Sequence, residues 1–313
     1  MKGIHILGTG RCIPPKVVTN EDMSKLTDTN DEWISSRTGI RQRHFAEGES
    51  NSSLATKAAQ QAMERAGVTA DQIGSCIVAT FTPDHMSPSV AALVHHNLGL
   101  PEDAPAMDIS AGCTGFLYGL TVTRGLMLQS ERPYALLIGS EVISRVLDFD
   151  DRSTCVLFGD GAGAVVLELS DNYDFTSVLG CRGDDEVLGC TNSTGNVPHH
   201  IFMNGSEVFR FAVETVPMCI QQTLEKAQLP AEAIDYFVCH QANQRIISSV
   251  IRKTHLPEDK FYLNVHNYGN TSAASIPIAL DEMAEQGMLP PGTRTLCVGF
   301  GAGLTWGGAV LNW

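Results

Sequence analysis

The chain has 313 residues, 43% hydrophobic and 18% charged, which marks a soluble globular protein with a substantial core. A formal net charge of -14 argues against nucleic acid as a main partner, because phosphate binding needs a basic face. No apolar run approaches the length of a membrane span, so membrane insertion is not expected.

Met1 to Gly8 reads as a strand that begins at once, without a secretion signal, and a cytoplasmic location is the expectation. Gln60-Gln61-Ala62-Met63-Glu64-Arg65-Ala66 has helical periodicity and leads, through a turn, into the β-rich run Cys76-Ile77-Val78-Ala79. Next, Asp108-Ile109-Ser110-Ala111-Gly112-Cys113-Thr114-Gly115-Phe116 surrounds one cysteine with small residues, just before the helical pattern Leu117, Leu120, Thr121, Leu126. That context predicts a tight strand-to-helix turn with Cys113 at the positive end of a helix. Such a position lowers a thiol's pKa and favours thiolate, the form that attacks carbonyl carbon. Gly180 to Gly205, rich in Gly, Asn, Thr and His, breaks the pattern and reads as a long loop forming a pocket wall.

The second half repeats the first. Gln221-Gln222-Thr223-Leu224-Glu225-Lys226-Ala227 and Tyr236-Phe237-Val238-Cys239 echo the helix and strand above. Phe300-Gly301-Ala302-Gly303 echoes Phe158-Gly159-Asp160-Gly161. The simplest arrangement is two similar α/β halves, 1–169 and 170–313, packed face to face, with helices outside and between layered sheets. His240 ends an apolar strand and precedes the helical run Ile246, Ile247, Val250, Ile251; it is a hydrogen-bonded strand-end histidine or a site residue. Asn267-Tyr268-Gly269-Asn270-Thr271-Ser272-Ala273-Ala274-Ser275-Ile276-Pro277 suits a turn followed by a helix cap, or a functional loop. The glycine-rich stretch Gly299 to Gly308 fits no phosphate loop, since no lysine followed by serine or threonine comes after it. Arg245, Arg252 and Lys253 recur at helical spacing and share one face, either an ordinary solvated face or a docking patch. Nine cysteines are scattered without framework spacing. Cys76, Cys155, Cys239 and Cys297 lie in apolar runs as small buried hydrophobes, and Cys181 and Cys190 have no histidines at zinc-ligand spacing.

Several stretches together resemble the thiolase-fold condensing enzymes, closest to the β-ketoacyl-acyl-carrier-protein synthase III family, essentially end to end. They are Asp31-Glu32-Trp33-Ile34, Arg37-Thr38-Gly39-Ile40, the cysteine turn, Phe158-Gly159-Asp160-Gly161-Ala162-Gly163, His240-Gln241-Ala242-Asn243, Gly269-Asn270-Thr271-Ser272 and Gly301-Ala302-Gly303. The resemblance implies a thiolase-like five-layer α-β-α-β-α sandwich and a catalytic triad of Cys113, His240 and Asn270. It implies an oxyanion hole from the backbone N–H groups of Cys113 and Ala302. The implied reaction is a decarboxylative Claisen condensation of a short acyl-coenzyme A primer with malonyl-acyl carrier protein, the first step of type II fatty acid synthesis. Acyl-coenzyme A and acyl carrier protein are then substrate and partner, no metal or other cofactor is expected, and a homodimer is expected.

By the same resemblance Trp33, Arg37, Arg152, Ser206 and Asn243 contact coenzyme A, while Ser87 and Phe300 shape the acyl pocket. Arg210, Arg245, Arg252 and Lys253 receive the acidic carrier protein. The chain departs from the family pattern in three places. Ser206 stands where asparagine is common, and Ala302 where the family often has the middle of three glycines. Ser87 stands where straight-chain members can carry a phenylalanine that reaches the partner subunit's acyl pocket; it is expected to leave room for primers longer or more branched than acetyl. The rivals are a related acyltransferase or starter-unit condensing enzyme of secondary metabolism, a thiolase, and a non-catalytic partner subunit. A thiolase would want a second cysteine where Gly299 stands, and Cys297 lies on the same strand face. A silent subunit usually lacks the nucleophile, which is present here.

Overall fold

Apolar runs set the strands. The computed structural model describes residues 2–191 and 200–313. Its strands are β1 Gly3–Cys12, β2 Lys16–Thr19, β3 Gln42–Phe45, β4 Ile73–Ala79, β5 Ala106–Ile109, β6 Tyr134–Glu141, β7 Gly161–Ser170, β8 Thr176–Asp184, β9 Leu188–Cys190, β10 Ile201–Met203, β11 Tyr236–Cys239, β12 Arg294–Gly301 and β13 Gly303–Asn312. The helices are α1 Asn20–Met23, α2 Asp31–Thr38, α3 Asn51–Ala66, α4 Val90–Leu98, α5 Gly115–Met127, α6 Gly205–Ala227, α7 Gln244–Thr254, α8 Val265–Tyr268 and α9 Ser275–Glu285. The principal sheet runs β11-β12-β13-β1-β7-β6-β4-β5, with β8 beside β13. Its two arms are built alike. β4 is parallel to β6 and β6 antiparallel to β7; β11 is parallel to β12 and β12 antiparallel to β13.

Strand alternation sorts the core into layers. In β4 all seven residues are buried. Ile77 packs against Phe116, Leu117 and Leu120 of α5, whereas Cys76 and Val78 face Leu54, Ala58 and Ala62 of α3. The other arm mirrors this. Val238 and Cys297 join the cluster of Ile276, Ala279 and Leu280 from α9, while Phe237, Leu296 and Val298 face Ala212, Val216 and Ile247 of α6 and α7. Helices α5 and α9 thus lie between the two sheet arms, α3 and α4 cover one outside and α6 and α7 the other. This is the five-layer α/β sandwich that the resemblance implies.

The sequence echo appears as matched geometry. In each half a long helix, α3 or α6, is followed by a 3-10 turn, Ala70–Gln72 or Ala231–Ala233, and then by β4 or β11. Each inner helix is also entered through a 3-10 turn, Gly112–Thr114 before α5 and Ser272–Ala274 before α9. Local capping fixes these elements. Ser50 caps α3 in a capping box with Ser53, and Gly67 ends it with φ 65°.

An ion cluster joins inner and outer layers. Asp281 of α9, 0% exposed, pairs with Arg11 of β1 and Arg65 of α3, and Glu285 pairs with the same two guanidiniums. A buried carboxylate is tolerated only when matched in this way. The segment read as one long loop differs from that expectation. Its described part holds the end of β8 and the antiparallel pair β9 and β10, joined by register Ile201–Cys190 to Met203–Leu188. The strands are three residues each, too short for alternation to show against the surrounding glycines. Residues 192–199 of that segment lie outside the described residues.

Candidate active site

The starts of both inner helices open on one cavity of about 1650 Å3, and Cys113, His240 and Asn270 all line it. Cys113 is the central residue of the Gly112–Thr114 turn that runs directly into α5, and Gly112 makes the bend with φ 50°. The first N–H groups of such a helix start have no partner within the helix and face outward. The β12–β13 turn presses its backbone on this point. A Cβ added to Gly301 would lie 2.8 Å from Cys113 N and 3.0 Å from Cys113 Cβ, so only glycine fits. Ala302 N lies 3.2 Å from where a Cβ on Gly112 would sit. Thr114 Oγ1, Thr305 Oγ1, Ala111 O and Ala302 O form one hydrogen-bonded cluster at 2.7 to 2.9 Å that ties the two turns together. The backbone N–H groups of Cys113 and Ala302 are thereby neighbours, and the Ala302 methyl is accommodated.

Burial and the helix start act on the sulfur in opposite directions. Burial pushes the Cys113 thiol up to about 12, the Ser272 hydroxyl pulls the other way, and the negative charge of Glu141 adds to the rise. A helix N-terminus supplies at most about 2 kcal/mol in favour of thiolate, and desolvation of the sulfur works against it. The residue stays half-buried and lines the cavity, so the sulfur is reachable.

His240 follows β11 and is fixed at its backbone by N–H donation to Val298 O at 2.8 Å. Burial pushes its imidazole down to about 3, so it is neutral. Ser275 Oγ accepts from the Gln241 N–H (3.3 Å) and lies 2.7 Å from His240 Nδ1. The Ser275 hydroxyl proton is then free to go to Nδ1, which leaves the ring proton on Nε2 as a donor. Phe300 packs edge-on to the imidazole, with ring centroids 5.5 Å apart. Asn270 is clasped by the first half, donating its N–H to Leu157 O (2.8 Å) and accepting from the Gly159 N–H (3.0 Å). Its Oδ1 accepts from the Ser272 N–H at 2.8 Å, which orients the amide and frees Nδ2 to donate. Arg43, 0% exposed, steadies the clasping segment by donating to Val156 O (2.6 Å) and Asn20 Oδ1 (2.8 Å).

At the cavity mouth Trp33 is half-buried, with the Arg37 guanidinium 4.7 Å and the Arg152 guanidinium 5.3 Å from its ring centroid. Both cations stack on the indole in this state, and Arg152 also donates to Asp28 O at 2.9 Å. Asn243 caps α7, accepting from the Arg245 N–H (2.8 Å), and donates to Arg37 O (3.2 Å). Ser206 lines the cavity and donates to Asn204 Oδ1 at 2.8 Å. Phe300 lines the cavity, and so do Cys181, Leu188, Cys190 and Ile201, as expected of a pocket wall between 180 and 205. Ser87 is exposed and is not among the residues lining its own chain's cavity, although His85 and Met86 are.

Arg210, Arg245, Arg252 and Lys253 are exposed along the α6–α7 seam. Lys253 Nζ donates to Val213 O (3.2 Å), the Arg245 guanidinium lies 5.8 Å from the Phe209 ring centroid, and Arg210 pairs with Glu207 at 3.1 Å. Cys297 is 0% exposed inside the central core, and at Gly299 an added Cβ would lie 3.4 Å from His240 Cβ. No second thiol from β12 therefore reaches the cavity. Among the described residues no cluster of three or more His, Cys, Asp or Glu is arranged to hold a metal, and no helix is long and apolar enough to cross a membrane. Sequence reasoning missed Ser275, which orients His240, and Glu141, which ends the buried run Leu136-Leu137-Ile138-Gly139-Ser140. A carboxylate at the end of such a run was the available signal.

The fold and motifs recur in known proteins. Models described as 3-oxoacyl-[acyl-carrier-protein (ACP)] synthase III and as its C-terminal part match residues 107–183 and 224–313. The chain is 44% identical over 326 residues to the beta-ketoacyl-[acyl-carrier-protein] synthase III of Clostridium acetobutylicum, across 100% of this chain and 99% of that protein. It is 45% identical over 312 residues to the Acholeplasma laidlawii protein of the same description, across 99% and 98%. The crystal structure of 3-oxoacyl-[acyl-carrier-protein] synthase III from Aquifex aeolicus superimposes with a TM-score of 0.94 at 39% identity, covering 99% of this chain and 100% of that one.

Proposed function

Since the chain belongs to the 3-oxoacyl-[acyl-carrier-protein] synthase III family, we propose that Cys113, His240 and Asn270 carry out its reaction. The protein is an acyltransferase that starts fatty acid synthesis by condensing a short acyl-coenzyme A primer with malonyl-acyl carrier protein, giving β-ketoacyl-acyl carrier protein, carbon dioxide and coenzyme A. One observation supports the residue assignment above the others: a nucleophile-capable thiol and two neutral donor side chains from the other half of the chain open on one cavity.

In this reading the Cys113 sulfur attacks the thioester carbonyl, and the oxygen that becomes negative is met by the N–H groups of Cys113 and Ala302. Loss of one such donor typically costs about 3–4 kcal/mol. Malonyl-carrier protein then enters. As its carboxylate leaves as carbon dioxide, the bonding pair moves onto the thioester enolate, whose oxygen accepts from His240 Nε2 and Asn270 Nδ2. The enolate carbon displaces Cys113 from the acyl group. Every charge that develops meets a protein donor, so the chemistry asks for no metal or redox cofactor. Trp33, Arg37, Asn243 and Ser206 line the cavity and Arg152 stacks on Trp33, offering stacking planes and polar contacts to coenzyme A, and a cavity of about 1650 Å3 has room for its arm. A cytoplasmic homodimer, with halves 1–169 and 170–313 in each copy, completes the reading.

Two measurements test it. Given a panel of acyl-coenzyme A primers with malonyl-carrier protein, the protein is expected to release β-ketoacyl product and, because Ser87 is small, to use four-carbon primers within about tenfold of acetyl, the low end of what a single misfitted methylene costs. No product with any primer would remove the functional reading; a sharp preference for acetyl would remove the role of Ser87. Reversing two charges, Arg252→Glu with Lys253→Glu, is expected to raise KM for malonyl-carrier protein by about tenfold or more at low salt and leave KM for acyl-coenzyme A unchanged. An equal change in both constants would show that this face does not receive the carrier protein.

A further inference from the structure

A fully buried carboxyl group lies behind the nucleophile and has no part in the reaction described so far. Glu141, 0% exposed at the end of β6, accepts from Thr80 Oγ1 (3.0 Å), the Phe81 N–H (3.2 Å), the Thr82 N–H (3.2 Å) and Thr82 Oγ1. Upstream partners set the direction of these bonds. Thr80 Oγ1 accepts from Asn51 Nδ2 (2.9 Å) and Thr82 Oγ1 from the Val142 N–H (2.9 Å), so both hydroxyl protons are left for the carboxylate. These donors converge on Oε2. Oε1 has only the long Phe81 N–H contact at 3.3 Å and keeps accepting capacity.

Ser272 opens the 3-10 turn that packs against both the Gly112–Thr114 turn, which carries Cys113, and β6, which ends in Glu141. It is 0% exposed, lines the cavity, and has the left-handed backbone of φ 51°, uncommon outside glycine. Its Oγ has no partner at full hydrogen-bond geometry among the described residues, yet it lies near enough to both Cys113 and Glu141 to favour the charged form of each. A buried hydroxyl without a settled partner is costly to keep. Its place between an acid and a base suits a group that alternates between them.

Building on Cys113 as the nucleophile, we propose that Ser272 and Glu141 are the proton outlet of that thiol in the acyl-transfer step. The Cys113 proton passes to Ser272 Oγ as the Ser272 hydroxyl proton passes to the Glu141 carboxylate. The sulfur forms its bond to the acyl carbon and the carbonyl π pair moves to oxygen. Collapse breaks the bond to the coenzyme A sulfur, and the proton held on Glu141 returns through Ser272 to that departing sulfur. Thiol and thioester are exchanged without net gain or loss of protons. Ser272 is the group that faces the reacting sulfur, whereas Glu141 acts through it and is a positioning residue. His240 is spared this duty, which suits a neutral imidazole needed as a donor in the later decarboxylation.

The groups around Glu141 leave it free to titrate. Burial raises its pKa to about 8, close to the optimum for a base working near neutrality. Its charge is felt by the thiols of Cys113 and Cys190. The neighbouring carboxylates are otherwise engaged, Asp84 with Arg145 at 3.1 Å and Asp160 with Ser144 and the Ala46 N–H. The accepting form is the ionised one, so acyl transfer should speed up as pH rises through about 8.

The test is single-turnover acylation of Cys113 by acetyl-coenzyme A, read by intact mass from roughly pH 6 to pH 10. Ser272→Ala removes no settled hydrogen bond and is expected to fold. It should acylate about 10²-fold more slowly and lose the inflection near pH 8. Glu141→Gln should slow acylation similarly, while iodoacetamide alkylation of Cys113 moves to lower pH because a neighbouring negative charge is gone. A merely structural role would not move the two readouts in opposite directions. If Glu141→Gln does not fold, Ser272→Ala decides. Acylation by Ser272→Ala at the unaltered rate with the inflection retained overturns the outlet alone. Absence of any adduct on the unaltered protein overturns the nucleophile assignment and the outlet with it.

Discussion

Cys113→Ala protein exposed to acyl-coenzyme A is expected to gain no acyl mass and to lose condensation by at least about 10⁴-fold, the scale seen when a covalent nucleophile is removed from an otherwise intact site. Little else should change. The residue contributes a small side chain to a turn that is held by the Thr114–Thr305 cluster and by the backbone contact with Gly301, none of which uses the sulfur. Unfolding midpoints of variant and parent should therefore agree closely. The donors for the second half-reaction, His240 and Asn270, also keep their anchors in Ser275 and in the Ser272 N–H. Slow decarboxylation of malonyl-carrier protein should persist without carbon–carbon bond formation. Residual acylation at a comparable rate would mean that another thiol on the cavity wall, Cys181 or Cys190, carries the acyl group, and the assignment would have to move there.

His240→Ala should show the complementary defect. Acylation of Cys113 survives, while condensation falls by about 10²–10³-fold, the usual cost of removing one preorganised donor to a developing oxyanion. The pH dependence sharpens this. Burial pushes the imidazole down to about 3, so it is neutral across the working range and the decarboxylation rate should show no inflection near the ordinary histidine value of 6.5. The sign for stability follows. The unfolded state binds this proton more tightly than the folded one, so the contribution of neutral His240 is fully present above pH 6.5 and is lost as pH falls toward 3. Thermal unfolding followed down that range should fall less steeply for His240→Asn than for the parent. A decarboxylation profile that breaks near 6.5 would show that the ring titrates during turnover and would remove its role as a neutral donor.

The fold was legible because its signals are repetitive. The echo between the helix ending at Ala66 and the one ending at Ala227 predicted matched halves, and the apolar runs Cys76 to Ala79 and Tyr236 to Cys239 are matched strands. The Gly112-Cys113-Thr114 turn was legible because small residues before a helical period leave few other conformations. What escaped depends on distance in the chain. The thiol's ionisation looks favourable from its own helix, but burial, Ser272 and Glu141, which arrive from other parts of the chain, act on it as well. Ser275 and Ser272 read as cap residues in sequence. Only folding shows that one orients an imidazole and that the other stands beside the sulfur. The short strands β9 and β10 were hidden by the composition around them.

The placing of α5 and α9 between the sheet arms bears on how the chain can be cut. Each inner helix meets β-strands from both arms in one continuous cluster that runs from Ile4 and Ile77 to Val238 and Cys297. A fragment ending near residue 169 would carry α5 with one flank bare, and the complementary fragment would carry α9 in the same condition. Exposed aliphatic stripes of that kind promote association, so the two pieces are suited to reassembly with each other rather than to independent life. Engineering by fusion or permutation is better directed to the outer turns, where no shared layer has to be opened.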